Sequence, residues 1–274
     1  MKAVLISRPH DFGVLEDHWH SDALFLPLPG GTVAGLHEAS LKSLGVNEVR
    51  VLRCHPAGSP PDLGQLEHSL TEHGLSWTVR AWPVGPWPEG LTLSQMLLRQ
   101  SLFLNGEDAL IFSVPAADPR GWTGPTVPTG FPPVETRSLK PLLWSTSGVL
   151  TPWDGPVVAL GGTRDFFRTS IRFLETLPPS PLGLSGIHRQ AELKPPLSLG
   201  SKVRAASHSR LGPLVQLADG SRLDAGTSLS RTLVLTATHF TGTLSLADRI
   251  VVGDTVVEPF DGGSVPLGQF SGPL

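Results

Sequence analysis

Residues 187–235, IHRQAELKPPLSLGSKVRAASHSRLGPLVQLADGSRLDAGTSLSRTLVL, carry a repeat that decides the fold of the C-terminal part of the chain. Every sixth residue in this stretch is aliphatic: Ile187, Leu193, Leu199, Ala205, Leu211, Leu217, Leu223, Leu229 and Leu235. A period of six residues fits neither an α-helix nor an ordinary strand. It predicts a solenoid of triangular coils, in which each of three faces contributes one inward side chain and a coil takes eighteen residues.

The corners and ends of this solenoid follow from the same stretch. Gly200, Gly212, Gly220 and Gly226 lie where tight corners are needed. Residues 241–260 are apolar but out of phase, and we interpret them as an irregular final coil. Each coil buries its inner face only against its neighbours, so the ends are expected to need a cap or a partner.

The first part of the chain alternates between strand and helix patterns. Strands are predicted at residues 2–6, 48–52, 75–82 and 108–114, and helices at 32–44, 62–73 and 91–104. This order predicts a mostly parallel sheet with helices on its faces. All seven tryptophans lie in the first 153 residues, and the Pro-rich segment 178–182 is typical of a stiff linker. We therefore predict an α/β domain at 1–177, the solenoid at 183–262 and a tail at 263–274.

Composition excludes several classes of protein. The 274 residues carry a net charge of −3 without a block of like charge, which gives no nucleic-acid footprint. A single cysteine excludes a disulfide framework, and no apolar run is long enough for a membrane helix. The N-terminal apolar run is too short for a secretory signal, so we expect a cytoplasmic protein with no membrane partner.

Four stretches together with the repeat resemble one family. They are residues 1–6, 26–49, 106–112 and 159–167, which read MKAVLI, LPLPGGTVAGLHEASLKSLGVNEV, GEDALIF and ALGGTRDFF. In this order, and followed by a hexapeptide repeat, the chain resembles the sugar-1-phosphate nucleotidyltransferases. The resemblance implies a Rossmann-like nucleotidyltransferase domain followed by a left-handed parallel β-helix. It also implies a reaction in which a glycine-rich loop, basic side chains and Mg²⁺-binding carboxylates hold phosphates.

The parts that this chemistry needs are missing from the sequence. The first strand opens into SRPHDFG, residues 7–13, instead of a glycine-rich loop, and Asp22 lies near the place of the family lysine. Val114-Pro115 and Ala159 stand where the resemblance places the two metal-binding carboxylates. No residue is therefore predicted to be catalytic, and no cofactor is expected, with Mg²⁺ needed only by an active enzyme. The remaining candidate ligand-binding residues are Asp118, Lys140, Gly161, Gly162 and Thr163, of which Lys140 is alternatively a solvated surface lysine.

Two further groups of side chains are candidates for binding. His18 and His20, in a segment rich in carboxylates, are candidate metal ligands, and a polar loop is the simpler interpretation. Trp82 and Trp87, in the Pro-rich loop WPVGPWP, are candidate interface anchors, with a packed loop as the alternative.

A retained scaffold without its chemistry predicts a non-catalytic, nucleotidyltransferase-like protein that serves as a structural or regulatory subunit. Its expected partner is a second copy of itself or an intact paralogue. A divergent but active sugar-1-phosphate nucleotidyltransferase and a sensor of sugar nucleotides are the alternatives. Metal-dependent nucleotide binding distinguishes the active enzyme, and binding without Mg²⁺ distinguishes the sensor.

Overall fold

The fold was examined in a computed structural model of the chain. The structure describes residues 1–7, 14–19, 22–56, 63–71, 74–84, 101–105, 107–114, 142–144, 150–152, 162–177 and 186–270. No helix in these ranges is long and apolar enough to cross a membrane. The linker predicted at 178–182 and most of the helix predicted at 91–104 lie outside the described residues.

The N-terminal part contains a six-stranded sheet. Its strands are β1 (Lys2–Ser7), β4 (Glu48–Pro56), β5 (Ser76–Val84), β6 (Ala109–Val114), β7 (Leu142–Trp144) and β8 (Leu150–Pro152). Strands β2 (Pro27–Leu28) and β3 (Gly31–Thr32) form a separate two-stranded hairpin. The strand order is β5-β4-β1-β6-β7-β8. Strands β5, β4, β1 and β6 are parallel to one another, and β7 runs antiparallel to both of its neighbours, β6 and β8. The mostly parallel sheet of an α/β domain agrees with the prediction from sequence.

Five α-helices are present in the described part of the chain. They are α1 (Val14–His18), α2 (Val33–Ser43), α3 (Gly64–Thr71), α4 (Ser101–Leu104) and α5 (Thr163–Thr176). Helix α2 begins where predicted because the Thr32 side chain accepts the N–H of Gly35, and it is followed by Gly45 at φ 75°. Helix α5 buries one strongly apolar face and exposes the other.

The C-terminal part winds through three strand ladders. The first ladder contains β9 (Glu192–Leu193), β12 (Arg210–Leu211) and the first half of β15 (Ser228–Val234). The second ladder contains β10 (Leu197–Leu199), β13 (Val215–Leu217) and the second half of β15. The third ladder contains β11 (Arg204–Ala205), β14 (Arg222–Leu223) and β16 (His239–Phe240). All pairings within the ladders are parallel. Arg210 pairs with Glu192 and Ser228, which lie eighteen residues before and after it. This winding is compatible with a β-helix.

The last inward position of the six-residue repeat lies one residue earlier in the chain than predicted, at Val234 instead of Leu235. Leu217 pairs with Val234, not with Leu235, because the coil that contains both has seventeen residues. Val234 therefore packs inside the coils, while Leu235 packs outward in the core that the coils share with the N-terminal part. The prediction that Leu235 is an inward position is wrong for this reason. The eight earlier positions from Ile187 to Leu229 all contribute to the inner core.

The final coil is more regular at its start than predicted and is then closed. Strand β17 (Ser245–Val252) pairs with β15 in parallel along its length. The chain then turns back into β18 (Thr255–Val257) and β19 (Ser264–Pro266), which pair antiparallel. These two strands cap the C-terminal end of the coils.

One hydrophobic core joins the sheet to the coils. Its outward-facing coil residues include Leu233, Leu235, Ile250 and Val252, and they pack with apolar residues of α1, α2, α5 and the sheet. Helix α5 is fixed at its first turn, where Arg164 donates to the carbonyl of Phe260 at 2.9 Å and the rings of Phe167 and Phe260 meet edge to face. The outer face of the second ladder is thus covered by the α/β part of the chain.

Candidate functional site

The carboxyl edge of the parallel sheet is the place where an open α/β fold binds ligands. The chain runs from β1 to β4 and β5 on one side and returns to β6 on the other side of β1. Ligands of such sheets bind beyond the carboxyl ends of the strands at this reversal. Ser7 marks this edge, since it is aligned with Arg53 of β4 and with Val114 of β6.

A three-residue polar cluster occupies this edge. The Nη1 of Arg53 lies 3.0 Å from Oδ2 of Asp22 and donates to Oγ of Ser7 at 2.8 Å. The Asp22 side chain is 9% exposed and the Arg53 side chain 25% exposed, while Ser7 is fully buried. The guanidinium therefore has an internal carboxylate as its counter-ion.

The local sequence holds Asp22 in place. Its Oδ1 accepts the N–H of Leu24 at 2.9 Å, and its carbonyl accepts the N–H of Phe25. This arrangement caps the 3₁₀ turn Ala23–Phe25. Leu24 and Leu26 beyond it are fully buried, so the segment is anchored on the C-terminal side of Asp22.

Two of the candidate ligand-binding residues from the sequence lie in the described part of the chain. Gly162 precedes α5 with an extended backbone, and Thr163 is buried in the first turn of that helix. Asp118, Lys140 and Gly161 lie outside the described residues.

The metal and interface candidates are likewise split. His18 ends α1 and is half-buried, while His20 lies outside the described residues. Within the described ranges, no group of three or more His, Cys, Asp or Glu side chains is close enough to hold a metal ion. The backbone of Trp82 pairs with that of Cys54 in the sheet, and Trp87 lies outside the described residues. The metal and interface hypotheses stay predictions.

A groove with a volume of about 450 Å³ lies between the sheet-bearing part and the coils. One wall is formed by Trp19, Phe25 and the hairpin of β2 and β3, and the other by corners of three successive coils. The coil residues are Ser198, Leu199, Gly200, Gln216, Leu217, Ala218, Asp219, Leu235, Thr236 and Ala237. The groove is therefore made by both parts of the chain.

Two of the residues that line this groove each carry a fully buried polar atom. Gln216 is 5% exposed and donates from Nε2 to the carbonyl of Pro27 at 3.3 Å. Its Oε1 has no hydrogen-bond partner among the described residues, and neither has the indole Nε1 of Trp19. The carboxylate of Asp219 lies in the same groove and accepts the N–H of Ser201 at 2.7 Å.

Sequence reasoning missed Arg53 and Gln216. Arg53 lies one residue past the predicted end of its strand, so nothing placed it at the sheet edge. Gln216 is an outward position of the second ladder, in register with Ser198 and Leu233. The aliphatic outward residues of that ladder were the available signal, since they indicate a covered face on which a polar side chain would be buried.

Comparisons with known proteins add little to this description. No family model matches the chain, and no curated protein sequence matches it. Among solved structures, the chain is similar to a protein of Bacillus anthracis described as a glucose-1-phosphate thymidylyltransferase in complex with sucrose. The TM-score is 0.32 at 14% identity, and the match covers 43% of this chain and 45% of that chain. The chain thus spans less than half of that structure, and a likeness at this level carries no argument about fold or activity.

Proposed function

We propose that the chain is a nucleotidyltransferase-like protein that does not catalyse nucleotidyl transfer and serves as a structural or regulatory subunit. The observation that carries this proposal is the ion pair between Asp22 and Arg53 at the carboxyl edge. A cation at this edge is the group that would meet a substrate phosphate. Here its charge is already balanced by a carboxylate of the same chain.

Charge and desolvation both oppose a triphosphate at this edge. To reach Arg53, a phosphate would have to displace Asp22 and leave that carboxylate largely buried without its cation. If Asp22 stayed in place, it would repel the phosphate instead. The resemblance places a phosphate-binding lysine near this position, and the chain carries the opposite charge there.

The finer fold assignment belongs to the same proposal. We take the coils to be a left-handed parallel β-helix of hexapeptide repeats. The ladder spacing of eighteen residues and the inner aliphatic positions support it. Since β18 and β19 cap the C-terminal end, the first coil is the end left for assembly with a second copy or with an intact paralogue. Ile187, Leu193 and Leu199 of that coil are only half-buried.

The test of inactivity uses the purified full-length protein. It is incubated with each nucleoside triphosphate and a panel of sugar 1-phosphates, with and without Mg²⁺, and pyrophosphate release and thermal stability are measured. We expect no release and no Mg²⁺-dependent rise in melting temperature, because a ligand of the native state must raise it. Pyrophosphate release that Asp118→Ala abolishes would overturn the proposal and establish the active-enzyme alternative.

The subunit role has its own test. Sedimentation velocity is compared for the unaltered chain and for Leu193→Arg, with Val265→Arg as the control at an exposed position on the capped end. We expect an oligomer that Leu193→Arg dissociates and Val265→Arg preserves. A monomer at all concentrations, without a partner in pull-downs from the source cells, would contradict the subunit role.

A further inference from the structure

We infer that the outer face of the third ladder binds a phosphomonoester group, which bridges the guanidinium groups of Arg204 and Arg222. This site lies on the coils and is separate from the carboxyl edge, so the inference does not rest on the proposed function. It rests on the register of the two arginines, on their lack of a counter-ion among the described residues, and on the donor geometry of the guanidinium group.

The register of the third ladder places the two arginines side by side. Arg204 of β11 is paired directly with Arg222 of β14 in a parallel arrangement. The next residues, Ala205 and Leu223, belong to the inner core of the coils, so both arginine side chains point outward, and both are exposed. Neighbouring strands lie about 4.8 Å apart. Like charges at directly opposite positions of neighbouring strands destabilise a sheet, so this arrangement has a cost that an anion would remove.

The chain supplies no counter-ion for these two cations in its described part. There, neither Arg204 nor Arg222 has an ion pair or a side-chain hydrogen bond. The carboxylate of Asp224 lies on the same face, but both of its oxygens are occupied. Oδ1 is 2.9 Å from Nε2 of His239, and Oδ2 accepts the N–H of Gly242 at 3.3 Å.

Other exposed arginines of the coils are neutralised across neighbouring coils. Nε of Arg210 lies 3.4 Å from Oε2 of Glu192 on the preceding coil, and Nε of Arg231 lies 2.6 Å from Oδ1 of Asp248 on the following coil. In these pairs the stacking of coils brings opposite charges together, whereas in the third ladder it brings like charges together. The difference points to an anion that comes from outside the chain.

The guanidinium geometry selects a phosphomonoester over a carboxylate. Each guanidinium presents parallel N–H donors as a fork, and one carboxylate satisfies one such fork. Two adjacent forks carry two positive charges and need more acceptors than the two oxygens of a singly charged carboxylate. A phosphomonoester has three terminal oxygens and a charge close to −2 near pH 7, so it can accept from both forks and balance both charges.

Two probes that share a phenyl ring test the site, namely phenyl phosphate and benzoate. The readout is the arginine Nε–Hε region of ¹⁵N correlation spectra at constant ionic strength, in which Arg204→Lys and Arg222→Lys assign the two signals. We expect phenyl phosphate to shift both signals saturably with one dissociation constant, and benzoate to bind more weakly. No saturable shift with phenyl phosphate, or equal affinity for both probes, would overturn the inference.

A matched pair of variants tests whether one anion bridges both arginines. In Arg204→Gln, the response of the Arg222 signal to phenyl phosphate should weaken about fivefold, which is the upper range for one exposed ionic contact. Arg210→Gln makes the same exchange at an exposed position of the first ladder and should bind like the unaltered chain.

The thermal midpoint separates this loss of binding from a loss of folding. Arg204→Gln removes a like-charge contact, so without the probe its midpoint should be at least as high as that of the unaltered chain. An Arg222 signal that responds with undiminished affinity in folded Arg204→Gln would refute the bridged site.

Discussion

Removal of the Asp22 carboxylate is the perturbation that tests the closed carboxyl edge most directly. Asp22→Ala leaves the guanidinium of Arg53 with Ser7 as its remaining partner at this cluster and removes the cap of the turn that begins at Ala23. Breaking a buried ion pair costs about 3–5 kcal/mol, whereas an exposed pair is worth about 0.2–1 kcal/mol. With side-chain exposures of 9% and 25%, this pair lies between these limits. We expect a loss of about 2–3 kcal/mol in the free energy of unfolding.

A double-mutant cycle isolates the ion pair from the cap. Asp22→Asn keeps an oxygen for the Leu24 N–H but loses the charge, and Arg53→Met keeps the aliphatic stem but loses the guanidinium. The coupling energy between these two changes is expected to be about 1.5–2.5 kcal/mol, since they are in direct contact. Asp254→Asn, at an exposed position on the capped end, is the control for charge loss and should cost less than about 0.5 kcal/mol.

The assay is urea denaturation followed by tryptophan fluorescence. All seven tryptophans lie within residues 1–153, so the fluorescence reports on the part of the chain that contains the ion pair. A coupling energy below about 0.5 kcal/mol would refute the reasoning, because it would mean that Arg53 does not depend on Asp22 for its counter-ion. The guanidinium would then be free to bind a phosphate, and the proposal of a closed edge would fail.

Three further predictions concern the coils. Gly212→Ala should destabilise the coils by more than about 3 kcal/mol in far-UV circular dichroism melts, because Gly212 has φ 102° and an added Cβ would lie 1.9 Å from a backbone oxygen. The control Gly242→Ala should cost only about 1 kcal/mol, because Gly242 has φ 70° and no atom lies within 4 Å of an added Cβ. Phe240→Ala should cost about 3–5 kcal/mol by the same melts, since this ring is fully buried among the coils, and a loss below 1 kcal/mol would argue against that packing. The hydrogen bond from His239 lowers the pKa of Asp224. The pair therefore stabilises the fold at pH values above the ordinary carboxyl pKa of 3.8, and this contribution is lost as the pH falls through the lowered pKa. His239→Ala should raise the pKa of Asp224 in a carboxyl-carbon NMR titration, and an unchanged pKa would count against the contact.

The elements of the α/β part could be predicted because each carries its own local signals. Thr32 caps α2 and Gly45 follows it, as the sequence indicates. The strand predicted at 48–52 extends to Pro56, since its pairing with β5 continues as far as Val84. The helix predicted at 62–73 begins later, at Gly64, and is described as far as Thr71. Ends of elements depend on tertiary pairing, which a local pattern does not contain.

The repeat predicted the winding but not its irregularity. Val234 and Leu235 are both aliphatic, so the period alone places Leu235 inside, whereas a seventeen-residue coil places Val234 there. What decides between them is the outer surface, where Leu235 finds the apolar face of the α/β part. The two sites escaped prediction for a related reason, since Gln216 and Pro27 are separated by 189 positions in the chain.

The carboxyl edge and the groove differ in how their buried polar groups are satisfied. At the carboxyl edge, the carboxylate, guanidinium and hydroxyl of Asp22, Arg53 and Ser7 satisfy one another, so a ligand would have to break good contacts before it made any. Beside the groove, Gln216 and Trp19 each keep one buried atom without a hydrogen-bond partner among the described residues, and the protein itself covers both atoms. A triphosphate is therefore not expected to bind at the edge where a nucleotidyltransferase-like sheet would place its substrate, because it would cost the ion pair before it gained a contact.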